Sequence, residues 1–269
     1  ASAMAGAAPQ CCPPGSSPYL AADSRATGKE IDLDSVKLYA TGDAHAAVAV
    51  IMVPDVWGWN SGRTRVIADF VASSLGAYVV VPKLLDPLEG GTNGDGLPPD
   101  FDIPTRMNDF IKWIQTMPWD KLRVRVEPIL KHLEGKKVGM TGYCWGCWLC
   151  CHASASSKSI VCGVLPHPSL GLEEAFGGSP AALASTVQCP MIFMPAGNDP
   201  PIYLPSGDVF KAVKANHAAT EAMPFPEMSH GWIPRGDVSD TKVKEGVEKA
   251  VATMIDYLAK HLGVARPRL

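Results

Sequence analysis

The stretch that decides the fold is Val138-Gly139-Met140-Thr141-Gly142-Tyr143-Cys144-Trp145-Gly146. It begins as an apolar strand, and the residues from Cys144 to Ser157 are mostly small or apolar and lack proline, which predicts a helix. A strand, a sharp turn and a helix in this order are typical of a nucleophile elbow. The glycines on both sides of Cys144 leave room for that strained turn. We therefore predict an enzyme with Cys144 as its nucleophile.

Cys144 is predicted to lie at the N-terminus of the helix. The backbone N–H groups and the helix dipole at that end stabilise a thiolate, which makes cysteine a usable nucleophile. We also expect Cys144 to face an open pocket and to be the most reactive of the eight thiols.

The neighbouring cysteines allow other interpretations. With Cys144, they give a spacing that resembles part of an iron–sulfur ligand run, and Cys144 and Cys147 are also candidates for a redox pair. A helix would spread these thiols around its circumference. We therefore prefer the interpretation that the thiols outside the elbow are buried, inert apolar groups: Cys147, Cys150, Cys151 and Cys162.

Length and composition narrow the class of protein. A chain of 269 residues with 46% hydrophobic content is large enough for one α/β domain, which we assign to residues 25–269. A net charge of −3 without a basic stripe argues against nucleic acid or an anionic membrane as partner. We expect a small-molecule substrate, a monomer or homodimer, and, from the irregular cysteine spacing, a reducing compartment such as the cytoplasm.

The two chain ends carry weaker signals. Residues 1–24 lack Lys, Arg and a sustained apolar run, so they are interpreted as an N-terminal arm and not as a signal peptide or membrane span. In that arm, Cys11 and Cys12 are adjacent thiols without a nearby histidine, a poor ligand set for a metal, so we expect the arm to pack on the domain. The terminal Pro267-Arg268-Leu269 distantly resembles a peroxisomal address.

Strand and helix signals alternate from residue 36 onward, which predicts the α/β class: a mostly parallel sheet with helices on both faces. Residues 83–103 are rich in glycine and proline and are expected to form a long loop or cap near the site. Besides the elbow, we predict strands at 46–53, 77–82, 160–165, 191–195 and 222–226, and helices at 63–75, 105–117, 121–133, 206–217 and 242–262.

A thiol nucleophile needs a histidine base and an acid that orients it, in the chain order nucleophile, acid, histidine. Asp199 follows an apolar strand, where sites of α/β sheets form, and His230 follows a shorter strand. Asp199 precedes two prolines, so a role only in the turn remains an alternative. His167 also ends a strand, but it precedes the acid and is expected to line the pocket or to cap the strand.

The oxyanion of an acyl-transfer reaction needs two backbone N–H donors. Trp145, directly after the nucleophile, is one candidate, and Val56, in the loop after an earlier strand, is the other. Asp55 precedes Val56, and two interpretations of it remain: a cap of the following turn, or a group that sets the protonation of Cys144.

At these residues the chain resembles the dienelactone hydrolase family of α/β-hydrolases, its eukaryotic branch in particular. The resemblance rests on Cys12-Pro13-Pro14-Gly15, the loop 54–59, the elbow 142–146, the stretch 196–199 and the stretch 230–237. It implies a hydrolase of small esters or lactones that needs no metal or organic cofactor. Fold alone does not fix function, so a non-catalytic scaffold that binds a small ligand is the alternative.

The resemblance also implies roles for single residues. Cys144 would be the nucleophile, His230 the base, Asp199 the orienting acid, and Val56 and Trp145 the oxyanion amides. Bacterial members have a glutamate at the position of Asp55, where it helps to activate the thiolate, and they bind the lactone carboxylate with arginines. With a shift of one residue, Arg235 matches one of these arginines.

Overall fold

The structure is a computed structural model that describes residues 11–33 and 35–265. The first ten residues of the predicted arm and the terminal Pro267-Arg268-Leu269 lie outside the described residues. Within the described ranges, no helix combines the length and the apolar character that crossing a bilayer requires.

One sheet organises the described chain. Its strands are ordered β1-β2-β4-β3-β5-β6-β7-β8, and it is parallel except for the antiparallel pairs β1·β2 and β2·β4. This confirms the predicted α/β class and a mostly parallel sheet. The strands are β1 (Lys29–Leu33), β2 (Val36–Thr41), β3 (Val48–Val53), β4 (Tyr78–Pro82), β5 (Lys137–Gly142), β6 (Ile160–Pro166), β7 (Met191–Met194) and β8 (Glu221–Ala222).

Helices cover both faces of the sheet. The α-helices are α1 (Thr64–Leu75), α2 (Met107–Gln115), α3 (Trp119–His132), α4 (Trp145–Ser156), α5 (Pro180–Thr186), α6 (Asp208–Asn216), α7 (Trp232–Arg235) and α8 (Thr241–Leu262). Two short 3₁₀ helices lie at Leu170–Phe176 and Pro201–Tyr203.

The central strands are apolar throughout because both of their faces are covered. In β3, Ile51 points into the core shared with α2 to α6, whereas the next residue, Met52, points into the core shared with α1, α7 and α8. Successive side chains of a strand point to opposite faces, so two cores require an unbroken apolar run. The buried parallel strand that this continuous apolar run predicted is confirmed.

Three strands differ from the sequence-based prediction. The strands β1 and β2 were not predicted as strands, and β8 contains only Glu221–Ala222 instead of residues 222–226. Pro224 and Pro226 explain the short strand, since proline has no N–H to donate to a neighbouring strand. Between them, Phe225 still donates its N–H to Pro195 at 2.8 Å.

The predicted long loop at residues 83–103 is confirmed, and a buried carboxylate anchors it. Asp95 accepts hydrogen bonds from the backbone N–H of Trp59 at 2.7 Å and of Leu85 at 3.1 Å. Burial raises the pKa of Asp95 to about 7, against the opposing effect of these two hydrogen bonds. The loop is thereby tied to the segment that follows β3, close to the site described next.

Candidate active site

The predicted nucleophile elbow is present between β5 and α4. Cys144 has φ +56° and ψ −115°, a conformation that non-glycine residues rarely adopt. A Cβ on Gly142 would overlap the backbone of Gly146, and a Cβ on Gly146 would come within 2.7 Å of the Val53 and Pro54 carbonyl oxygens. The turn therefore requires glycine at both flanking positions, as the sequence predicted.

Asp199 and His230 form a buried pair beside the elbow. His230 Nδ1 and Asp199 Oδ1 are 2.6 Å apart, and neither side chain is exposed to solvent. The other carboxylate oxygen accepts the Ala196 N–H at 2.6 Å, and Asn198 Oδ1 accepts the His230 N–H at 2.7 Å. Asp199 thus serves both the turn after β7 and the orientation of the imidazole, so the two interpretations of this residue are compatible.

The environment of His230 favours its protonated form. Burial by itself lowers its pKa, but the negative charges of Cys144 and Asp199 and the hydrogen bond with Asp199 outweigh burial and raise the pKa to about 10. The other ring nitrogen, Nε2, has no hydrogen-bond partner among the described residues. That nitrogen is therefore available for proton exchange with a reacting group.

His167 forms a wall of the site. Its ring packs edge-on against His230, with 4.7 Å between the centroids, and stacks on Tyr143 at 5.8 Å. Burial and the nearby His230 lower the pKa of His167, which keeps the ring neutral. His167 therefore lines the site, as expected. The histidine that contacts Asp199 is His230.

The two candidate oxyanion amides lie at the same edge of the sheet. β3 and β5 pair in parallel as far as Val53 and Gly142, so the loop containing Val56 begins beside the elbow. Neither the Val56 N–H nor the Trp145 N–H donates to another described residue. Two such donors at the end of a strand pair suit the negative oxygen of a tetrahedral intermediate.

Asp55 and Arg235 form an ion pair that the sequence did not reveal. Arg235 Nε donates to Asp55 Oδ2 at 2.7 Å, and each side chain is only 1% exposed. The other Asp55 oxygen accepts the Trp57 N–H at 3.0 Å, which fits the interpretation of Asp55 as a cap. The Asp55 carboxylate makes no hydrogen bond with the Cys144 thiol. The resemblance to the dienelactone hydrolase family matched Arg235 to a substrate-binding arginine. In this structure its positive charge is paired with the Asp55 carboxylate.

The N-terminal arm covers the nucleophile, so the expectation that Cys144 faces an open pocket is wrong for this structure. Cys144 is 0% exposed, and its Sγ lies 3.2 Å from Cys11 Sγ and 3.7 Å from Cys12 Sγ. Ser169 Oγ donates to the Cys11 carbonyl at 2.5 Å and approaches Cys144 Sγ at 3.4 Å. The arm packs on the domain, as predicted, and it does so directly over the elbow.

A cavity of about 270 Å³ lies beside the arm. Its walls come from the arm, from the end of the long loop and from the segment after β3, and include Tyr19, Trp57, Phe101 and Ile103. Cys12 and Arg235 also line it, whereas Cys144 does not. Access from this cavity to the nucleophile therefore requires Cys12 to move.

The remaining cysteines are buried and lie away from the reacting thiol. Cys147 Sγ donates to the Gly142 carbonyl at 2.8 Å, and burial raises its pKa well above the usual range. Among the described residues, the only cluster of possible metal ligands consists of Cys11, Cys12 and Cys144, so the spacing in α4 does not form an iron–sulfur site. The prediction that Cys147, Cys150, Cys151 and Cys162 are buried is confirmed, and burial raises the pKa of each thiol.

Sequence reasoning missed several residues around the site. Ser169 belongs to no motif, and nothing in its neighbourhood indicated contact with Cys11. Asn198 stands beside Asp199 in an Asn-Asp pair, a turn signal that does point to this position. The proximity of Cys11 and Cys12 to the elbow had no local signal at all.

Comparison with known proteins identifies the family of the chain. The sequence matches the dienelactone hydrolase family over residues 36–262. It is 25% identical over 244 residues to a human protein named carboxymethylenebutenolidase homolog, covering 87% of this chain and 91% of that protein. The rat protein of the same name is 24% identical with the same coverage.

Solved structures show the same fold. A Klebsiella pneumoniae structure described as a dienelactone hydrolase superposes with a TM-score of 0.67 at 18% identity, covering 87% of this chain and 98% of that one. An esterase of Pyrococcus furiosus superposes with a TM-score of 0.57 at 14% identity, covering 92% and 94%. The α/β-hydrolase fold is therefore shown, and the chain is a hydrolase of the ester and lactone class. On its sequence match from residue 36 to residue 262, it belongs to the dienelactone hydrolase family.

Proposed function

We propose that the protein hydrolyses a small ester or lactone through a thioester formed on Cys144. The observation that carries this proposal is the buried 2.6 Å contact between His230 Nδ1 and Asp199 Oδ1 beside a cysteine elbow. This contact fixes the ring and leaves Nε2 without a partner among the described residues. A nucleophile, a base and an orienting acid are the groups that such a reaction needs.

The reaction begins once Cys12 has moved away from Cys144, and the raised pKa of His230 favours the thiolate–imidazolium pair that proton transfer produces. His230 Nε2 takes the proton of the Cys144 thiol, and the thiolate attacks the ester carbonyl carbon. The Val56 and Trp145 N–H groups stabilise the resulting oxyanion. As the C–O bond breaks, His230 gives its proton to the leaving alcohol. A water molecule, deprotonated by His230, then attacks the thioester and releases the acid and the thiol.

The cavity beside the arm supports a small substrate with an apolar part. Its volume of about 270 Å³ and its aromatic walls suit such a molecule. Arg235, paired with Asp55, contributes a polar group to the wall of this cavity. We further propose that the protein acts as a monomer or homodimer in a reducing compartment such as the cytoplasm, where its eight free thiols stay reduced.

Rapid acylation tests this proposal. We expect p-nitrophenyl acetate to give a burst of p-nitrophenol, and mass spectrometry of the quenched protein to place the acetyl group on Cys144. The variant Cys144→Ala is expected to lose both signals, whereas Cys189→Ala, which changes another buried thiol, keeps them. Equal turnover in Cys144→Ala would refute the mechanism. Binding of lactones without turnover by the wild type would indicate a non-catalytic scaffold.

A further inference from the structure

Three thiols meet above the elbow although they come from distant parts of the chain. The Sγ atoms of Cys11, Cys12 and Cys144 all lie within 4.8 Å of one another and are buried. The hydrolytic mechanism uses only Cys144. Cys11 and Cys12 thus have no role in the proposed reaction, yet their sulfur atoms are the nearest thiols to the nucleophile.

The size of this triangle suits a metal ion. The three Sγ–Sγ distances are 3.2, 3.7 and 4.0 Å. Zinc–sulfur bonds of about 2.3 Å at tetrahedral angles separate the sulfur atoms by about 3.8 Å. A disulfide would join only two of the three atoms and would leave the third thiol buried beside it.

The three thiols supply three ligands, and the fourth position of a tetrahedral ion is left to a water molecule. Among the described residues, no histidine or carboxylate joins this cluster, since the ligand atoms that lie within 4.8 Å of one another are the three sulfur atoms alone. Three protein ligands and one water molecule are an established coordination of zinc in proteins.

The arm is held in the position that this site requires. The Ser17 N–H donates to the His230 carbonyl at 2.8 Å, and Asn198 Nδ2 donates to the Pro14 carbonyl at 3.0 Å. Arg235 Nη1 also donates to the Pro18 carbonyl at 3.0 Å. Together with the bond from Ser169 to Cys11, these contacts keep both arm thiols at the elbow before any ion arrives.

We propose that Cys11, Cys12 and Cys144 bind Zn²⁺ through their three sulfur atoms and that the bound ion blocks the nucleophile. Each protonated thiol releases its proton on binding, and nothing is oxidised or reduced. Release of the ion and opening of the arm return Cys144 to the substrate. Zinc binding itself does not depend on the proposed hydrolysis; only the inhibition rests on it.

Cobalt(II) is the probe for the site, because thiolate ligands give it intense near-ultraviolet charge-transfer bands. We expect the reduced, full-length protein to bind one Co²⁺ with these bands and to release it when Zn²⁺ is added. Cys11→Ser and Cys12→Ser should each weaken Zn²⁺ binding by about 100-fold or more, since even residues that only support ligands contribute 10-fold to 100-fold. Cys189→Ser, a buried thiol outside the site, is the matched control and should bind like the wild type.

Inhibition is measured separately with p-nitrophenyl acetate. Zn²⁺ should inhibit the wild type, a chelator should restore the rate, and the two arm variants should resist Zn²⁺ relative to their own metal-free rates. Circular dichroism verifies that each variant is folded, and Cys11→Ala replaces Cys11→Ser if the latter is not.

The outcomes separate this inference from the proposed function. A cobalt spectrum without charge-transfer bands, or arm variants that bind Zn²⁺ as tightly as the wild type, would overturn the site. Cobalt uptake through the arm thiols by a protein that hydrolyses no ester would leave the site standing and refute the proposed function. If Zn²⁺ does not slow hydrolysis by the wild type, the proposed inhibition is refuted and the proposed hydrolytic function stands.

Discussion

Ser169 Oγ connects the arm to the active site by donating a 2.5 Å hydrogen bond to the Cys11 carbonyl. The same hydroxyl lies 3.4 Å from Cys144 Sγ. The Ser169 side chain therefore contacts both the N-terminal arm and Cys144, the residue that the arm buries. Its removal should favour the open arm and leave the elbow unchanged, because the elbow is formed by β5 and α4.

Ser169→Ala should accelerate alkylation of Cys144 by iodoacetamide. A lost hydrogen bond of about 1 kcal/mol raises the population of the open arm by roughly fivefold. Mass spectrometry of the alkylated protein over time measures the rate at Cys144. Ser185→Ala, which removes an exposed hydroxyl bonded to its own helix, is the control. Equal rates in the wild type and Ser169→Ala would show that this bond does not limit access.

Asp199→Asn should lower turnover by about 10⁴-fold with little change in KM, because the amide favours the wrong imidazole tautomer. The asparagine keeps one oxygen for the Ala196 N–H, so the turn should survive. Steady-state kinetics with p-nitrophenyl acetate and a circular dichroism spectrum provide the comparison. A decrease of less than about tenfold would assign Asp199 to the turn alone.

Asp95 should make the stability of the protein depend on pH. Its pKa is raised to about 7 in the folded protein from a usual value of 3.8. The folded state therefore binds the proton more tightly than the unfolded state, so this contribution is full below pH 3.8 and is lost as the pH rises through 7. Urea unfolding of wild type and Asp95→Asn between pH 4 and pH 8 measures it.

The expected result is a difference between the two proteins that changes with pH. From pH 4 to pH 7 the wild type should lose free energy of unfolding relative to Asp95→Asn. Asp102→Asn, a change at an exposed carboxylate of the neighbouring loop segment, should follow the wild type. Parallel curves for wild type and Asp95→Asn would contradict the raised pKa.

The ion pair of Asp55 and Arg235 should show strong coupling. Asp55→Asn or Arg235→Met alone leaves a buried charge without its partner, which costs about 3–5 kcal/mol of stability. The double variant should lose less than the sum of the two, since no unpaired charge remains. Guanidinium unfolding of all four proteins measures the coupling. Additive losses would mean that the two side chains do not stabilise each other.

Local patterns in the sequence were sufficient for the main features of the fold and the elbow. Unbroken apolar runs predicted the parallel strands, because a strand covered on both faces has no polar side. The two glycines around Cys144 predicted the sharp turn for a steric reason that concerns only near neighbours. Chain order and strand ends were enough to select Asp199 and His230, since carboxyl ends of parallel strands meet at one edge.

Only the tertiary structure decided which distant side chains meet. Cys11 and Cys144 are 133 residues apart, and Asp55 and Arg235 are 180 residues apart. Neither pairing can be predicted from the local sequence, because each depends on how the arm and α7 are positioned at the edge of the sheet. For the same reason the sequence predicted an exposed, reactive Cys144, whereas the folded arm buries it. Periodicity is a property of neighbouring residues, and burial of a side chain is a property of the whole packed chain.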